Sequence, residues 1–335
     1  MHDRHAGEER GGSHDTTVCD RICINTSLAD SAAGQIRFPT LASPSPYSPI
    51  NFIPTLDETS DNQPVRQSDT SLMTRLVAFG NNITGNLHPT DSEPVLSLTD
   101  ITEATGCTEI IWHSWTCSIG RGGHSLPFPA HLRLISGTKG SRAWGSIPDG
   151  LRELLETGVE PVKFIGHDAP EGYLGQDGHV HRFDGTQSIE KWADVAMSSL
   201  GEVYTISDKT IYRFPSFDEV LKRGNREKEG EVRGDKVTLY ALESRCFVKV
   251  DDHLFELKDK LTLVDDLEGL GISVVEGRRN RLGVVTDAGD AYVFDSKSAE
   301  PALLELKEDV RLLGLGSEFD LLVTETKVLA RGDSG

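Results

Sequence analysis

The chain has 335 residues, with 53 Asp and Glu against 34 Lys and Arg, for a formal net charge of −19. Phosphate binding draws its affinity from a concentrated basic face, so this balance argues against nucleic acid as a direct partner and leaves protein as the expected partner class. Five cysteines, odd in number and irregularly spaced, fit a reducing compartment rather than a disulfide framework, and no apolar run reaches the length of a membrane span.

The opening Met1-His2-Asp3-Arg4-His5 is polar and has no hydrophobic core of a signal peptide, so cytoplasm and nucleus are the expected locations. Residues 1–70 are rich in Ser, Thr, Asp, Pro and Gly, as in Ser43-Pro44-Ser45-Pro46-Tyr47-Ser48-Pro49. Their scattered apolar residues have no period, and such a segment buries too little surface to offset its ordering entropy. A disordered tail is predicted. His2, His5, His14, Cys19 and Cys23 fall inside it at a spacing that matches no established metal site.

From Leu76 onward the pattern is one of short strands, beginning with Leu76-Val77-Ala78-Phe79-Gly80. Two β-rich runs joined by a tight turn then recur along residues 109–137, 162–185, 194–214, 237–257, 273–294 and 310–332. The turns are marked by pairs such as Asp177-Gly178, Asp251-Asp252 and Ala288-Gly289. A weak repeat at a spacing of roughly 30–45 residues points to a propeller or solenoid. Helices are expected only at residues 150–156 and 217–222, as insertions between repeats. The mixed-charge run 222–236 reads as an exposed loop.

These repeats resemble the regulator of chromosome condensation repeat family. Leu76-Val77-Ala78-Phe79-Gly80-Asn81-Asn82-Ile83-Thr84-Gly85-Asn86-Leu87 is similar to the strand and Gly-x-Asn-x-x-Gly-x-Leu loop that open its members. Residues 162–185, with Gly166-His167 and Asp177-Gly178-His179-Val180, are similar to one whole unit. The resemblance covers roughly residues 75–335 in degenerate copies, and the copies at 194–214 and 237–257 lack the family's glycines. It implies an all-β fold, a single β-propeller of about seven four-stranded blades, stacked so that each blade buries both faces. The ring is expected either to close by pairing Leu76–Gly80 with the last blade or to be incomplete at Gly335. Phe79, Phe183, Phe214, Phe255 and Phe294 are expected to pack between blades, and Gly80, Gly166, Gly277 and Gly316 to serve bulges or close backbone approaches.

No phosphate-cradling loop, nucleophile elbow or metal-binding motif appears, so no catalytic residue, metal or other cofactor is expected. The partner-binding candidates are Trp112, His113, Trp115 and Trp144, because exposed tryptophan is enriched in binding hot spots. The basic cluster Arg278, Arg279 and Arg281 on an acidic chain is the second candidate patch. The sequence therefore suggests a monomeric, non-enzymatic protein-interaction module or scaffold. The resemblance extends this to a diphthamide- or tRNA-modification complex, as for members like the fungal alpha-tubulin suppressor, with guanine-nucleotide exchange on a small GTPase as the alternative.

Overall fold

The computed structural model describes residues 21–26, 75–80, 95–113, 117–122, 132–135 and, with short breaks, 148–332. The strands form seven antiparallel sheets among these residues. Blade I holds β1 (Arg21–Thr26), β2 (Arg75–Gly80) and β3 (Val95–Asp100), and blade II holds β4 (Cys107–His113), β5 (Ser118–Gly122) and β6 (Leu132–Ile135). Blade III holds β7 (Lys163–Gly166), β8 (Pro170–Leu174), β9 (His179–Arg182) and β10 (Gln187–Lys191). Blade IV follows with β11 (Asp194–Met197), β12 (Val203–Ser207), β13 (Thr210–Phe214) and β14 (Glu227–Glu231). Blade V is β15 (Val237–Ala241), β16 (Cys246–Val250), β17 (His253–Leu257) and β18 (Leu261–Leu263). Blade VI is β19 (Ile272–Arg278), β20 (Arg281–Thr286), β21 (Ala291–Phe294) and β22 (Ala302–Leu304). Blade VII is β23 (Val310–Leu315), β24 (Phe319–Thr324) and β25 (Val328–Gly332).

Within each blade the strands pair in chain order, and the first strands of neighbouring blades lie against each other, as β7 against β11 and β11 against β15. This is a β-propeller. Successive side chains of a strand point to opposite faces, and here both faces are covered. Val203 enters the core shared with blade III, while Tyr204 and Ile206 enter the core shared with blade V. That explains why β12 and β16 read as nearly continuous apolar runs rather than clean alternations. Six such cores fill the six successive interfaces from blade I to blade VII.

Blades III to VI have four strands each and blades I, II and VII show three among the described residues, in keeping with the expected ring of about seven blades. Other sequence expectations are corrected. Leu76–Gly80 does not pair with the last blade. It lies in β2, between β1 and β3, and β1 is the strand that meets β23 of blade VII. Within residues 1–70, strand β1 is described and the rest lies outside the described residues. The charged run 222–236 contains β14, because Arg213 of β13 reaches across to Glu227 and, through Nε, to Glu229 at 2.8 Å. Phe255 packs between blades IV and V as expected, two residues before Leu257, which takes the register place that Phe214 and Phe294 fill in their blades.

Gly166 marks a register shift between β7 and β8, with φ of 150° and a hypothetical Cβ only 2.1 Å from the Ala169 carbonyl oxygen. Gly277 lies in regular pairing with ordinary contacts around it, and Gly316 lies outside the described residues. The two expected helices are present as α2 (Asp149–Thr157) and α3 (Phe217–Lys222), with α1 (Thr102–Thr105) preceding them. Among the described residues no helix is long and apolar enough to cross a membrane.

Candidate binding face

Blades are fixed to one another by polar bridges as well as by their cores. Lys163, at the start of β7, places Nζ 2.9 and 3.1 Å from the Asp194 carboxylate at the start of β11. The same carboxylate accepts the Leu239 N–H of β15 at 2.6 Å, and Lys163 also donates to the Leu239 carbonyl at 3.2 Å. Three consecutive first strands are thus tied together through one carboxylate, and β7 and β11 both begin at this bridge.

Several residues that the sequence singled out lie where a first strand turns into a second. Trp112 is half-buried near the end of β4 and packs on the core formed by Ile119, Leu151 and Phe164. His113 is the last residue of β4, with Nδ1 2.7 Å from the Ser118 hydroxyl. Arg278 is half-buried at the end of β19 and stands opposite Arg281 across the β19–β20 hairpin. Two like charges facing each other repel, but Arg281 is held from the far side. Its guanidinium makes a two-pronged pair with Asp320 of blade VII at 2.7 and 2.9 Å, and both side chains are largely buried. Arg281 therefore joins two blades. Trp115, Trp144 and Arg279 lie outside the described residues.

Behind Arg278, the first strands carry polar groups that the sequence reading passed over. Glu276 is exposed on β19, and crowding by protein pushes its carboxyl up to about 7, with the nearby Arg278 charge pulling the other way. Burial, with the negative charges of Asp194 and Glu276 adding to it, raises the Tyr240 phenol to about 12. Asp194, Tyr240 and Glu276 come from the first strands of blades IV, V and VI. Their only sequence signal is a polar or charged residue inside an otherwise apolar first strand.

The histidines of blade III are taken up locally. His179 Nδ1 lies 2.9 Å from the Ser188 carbonyl, and His181 Nε2 lies 3.1 Å from Asp177 Oδ1 while its ring stacks on Tyr173. No group of three or more metal-ligating side chains occurs among the described residues.

No protein-family model matches the sequence, and no curated protein matches it. Among solved structures, the chain is similar to Prp20p from Saccharomyces cerevisiae, a protein examined for its binding to Gsp1p and histones. That match has 10% identity over 77% of this chain and 67% of that one, with a TM-score of 0.41. It is similar to human WBSCR16 at 10% identity over 77% and 73% of the two chains, with a TM-score of 0.35. It is also similar to YCF48 bound to the D1 peptide, at 10% identity over 78% and 88%, with a TM-score of 0.42. The propeller architecture of this chain follows from its own strand order and blade contacts.

Proposed function

We propose that the chain is a non-enzymatic propeller that holds a protein partner on the end of the ring where the first strands turn into the second. The observation that supports this reading is that Trp112 and His113 of blade II and Arg278 of blade VI each lie where a first strand turns into a second. Trp115 and Arg279 adjoin them in sequence and Trp144 remains a candidate, whereas Arg281 acts through Asp320 as a support of the blade boundary. Tryptophan and arginine are enriched in binding hot spots. The partner this reading suits carries acidic groups, because Arg278 and Arg279 are consecutive cations in an otherwise acidic chain. A cytoplasmic or nuclear monomer acting as a scaffold, in a diphthamide- or tRNA-modification complex, is the narrower form of this reading.

The test is affinity purification of the tagged full chain followed by mass spectrometry, repeated with Trp112→Ala, Arg278→Ala and Arg279→Ala. Loss of the same stable partner is expected in all three, with the melting temperature unchanged in the two Arg variants and lowered in Trp112→Ala, because Trp112 also packs on the core between blades II and III. Retention of that partner in all three would place the binding elsewhere. Nucleotide release from purified small GTPases is measured alongside, and acceleration by this chain would favour the exchange reading instead.

A further inference from the structure

The outer strands of the four-stranded blades are not protected alike. The edge of β10 is overlaid by α3, and its Glu190 is held by Arg223 at 2.6 Å and by Arg226. Strands β14 and β18 lie against each other. Strand β22 pairs with β21 on one side, and among the described residues no hydrogen bond reaches its outer edge. An unpaired edge presents N–H and C=O groups that template another strand unless charge, proline or a bulge blunts it.

The side chains along β22 do not blunt it. Leu304 points into the core shared with blade VII, while Leu303 on the opposite face is 47% exposed and stands over Tyr292 in register. Ala302 is exposed beside it, and Leu306 is 38% exposed just beyond. Tyr292 in turn packs on the core between blades V and VI, so the exposed leucine lies at the outer margin of that interface. Glu300 and Glu305 flank the strand, both exposed, and among the described residues neither forms an ion pair and Lys307 is the exposed cation between β22 and β23. Glu308 is already engaged by Lys327 at 2.5 Å.

We infer that the outer edge of β22 is a docking site for an extended peptide that adds as a further strand of blade VI, with apolar residues at alternate positions and lysine or arginine at its ends. Main-chain hydrogen bonds to the edge supply register, and the apolar positions cover Leu303 and Tyr292. The flanking glutamates decide between occupants. In antiparallel pairing of two copies of this chain, Glu300 and Glu305 of each copy would approach those of the other, which is destabilising. A peptide with basic ends meets the same two carboxylates as complements.

The probe is a fluorescent peptide, Lys-Lys-Val-Thr-Val-Thr-Val-Lys-Lys, titrated with the full chain by anisotropy, beside a version with Glu in place of every Lys. The basic peptide is expected to bind about tenfold or more tightly than the acidic one. Glu300→Lys combined with Glu305→Lys should invert that order, and Leu303→Asp should weaken both. Because these residues are exposed, the variants keep the far-UV spectrum of the parent, and hydrogen exchange should slow at 302–304 on peptide addition. Equal binding of the two peptides, indifference to the charge swap, or unchanged exchange at 302–304 would overturn the inference. So would a dimer of the full chain in light scattering that Leu303→Asp converts to monomer, since a second copy would then be the occupant.

Discussion

The pair between Arg281 and Asp320 gives the sharpest test of how the blades hold together. Arg281→Met leaves the Asp320 carboxylate, 7% exposed, without the two-pronged partner it has at 2.7 and 2.9 Å. Removing one member of a buried ion pair costs about 3–5 kcal/mol. Water reaching the Arg281 side chain, which is 17% exposed, places the expected loss near the lower end, at about 3 kcal/mol. Asp320→Leu should also destabilise the fold, by removing the carboxylate that ties Arg281 to blade VII. The double variant removes both charges and fills the site with apolar atoms, so its cost should fall to about 1 kcal/mol, well short of the sum.

The assay is urea unfolding followed by fluorescence and circular dichroism, with hydrogen exchange in β20 and β24 locating the loss. Repetition at high salt should change the coupling little, because buried pairs are weakly screened. Losses that add within about 0.5 kcal/mol would refute the coupled, buried character assigned to this pair.

Three further outcomes follow from the geometry. The Glu276 carboxyl, raised to about 7 from an ordinary 4.5, favours the fold fully below 4.5 and progressively less as pH rises through 7. Glu276→Gln should therefore gain on the parent between pH 4.5 and 8, by no more than about 1 kcal/mol because solvent reaches the group, and a pH-independent difference would contradict it. Gly166→Ala brings a Cβ against the Ala169 carbonyl at a φ of 150°, and a fall in the urea midpoint equivalent to about 2 kcal/mol is expected; an unchanged midpoint would remove the strain argument. Deleting residues 1–26 takes away β1, which pairs with β2 and meets β23, so the melting temperature should drop relative to the full chain, and equal melting would show that β1 does not support the ring.

The inner strands were legible in the sequence because they are buried on both faces. Residues 194–214 and 237–257 carry no glycine motif, yet their paired apolar arms mark blades IV and V correctly, since the cores need Val203, Ile211, Val248 and Leu254 rather than any motif. The outer strands were not legible. Strand β14 is Glu-Lys-Glu-Gly-Glu and has almost no intrinsic strand preference, and it is held by its ladder to β13 and by Arg213. Of the site, the basic cluster could be seen as a cluster. That Arg281 is spoken for could not, because Asp320 lies on the second strand of the next blade and reaches it only through the fold. Glu276 and Tyr240 were hidden for the opposite reason: each follows directly on apolar residues, Val274-Val275 and Leu239, that suggest core.

Strand β1 is aligned in its sheet differently from the strands of the later blades. Residues 27–74 separate it from its hairpin partner β2, whereas turns inside the later blades are as short as Asp208-Lys209 between β12 and β13. One added residue within Asp208-Lys209 would shift the register of β12 against β13. The register of β1 against β2 is set instead by the ladder itself, from Arg21 opposite Gly80 to Thr26 opposite Arg75, so the strand that meets the last blade is aligned by pairing and not by a tight turn.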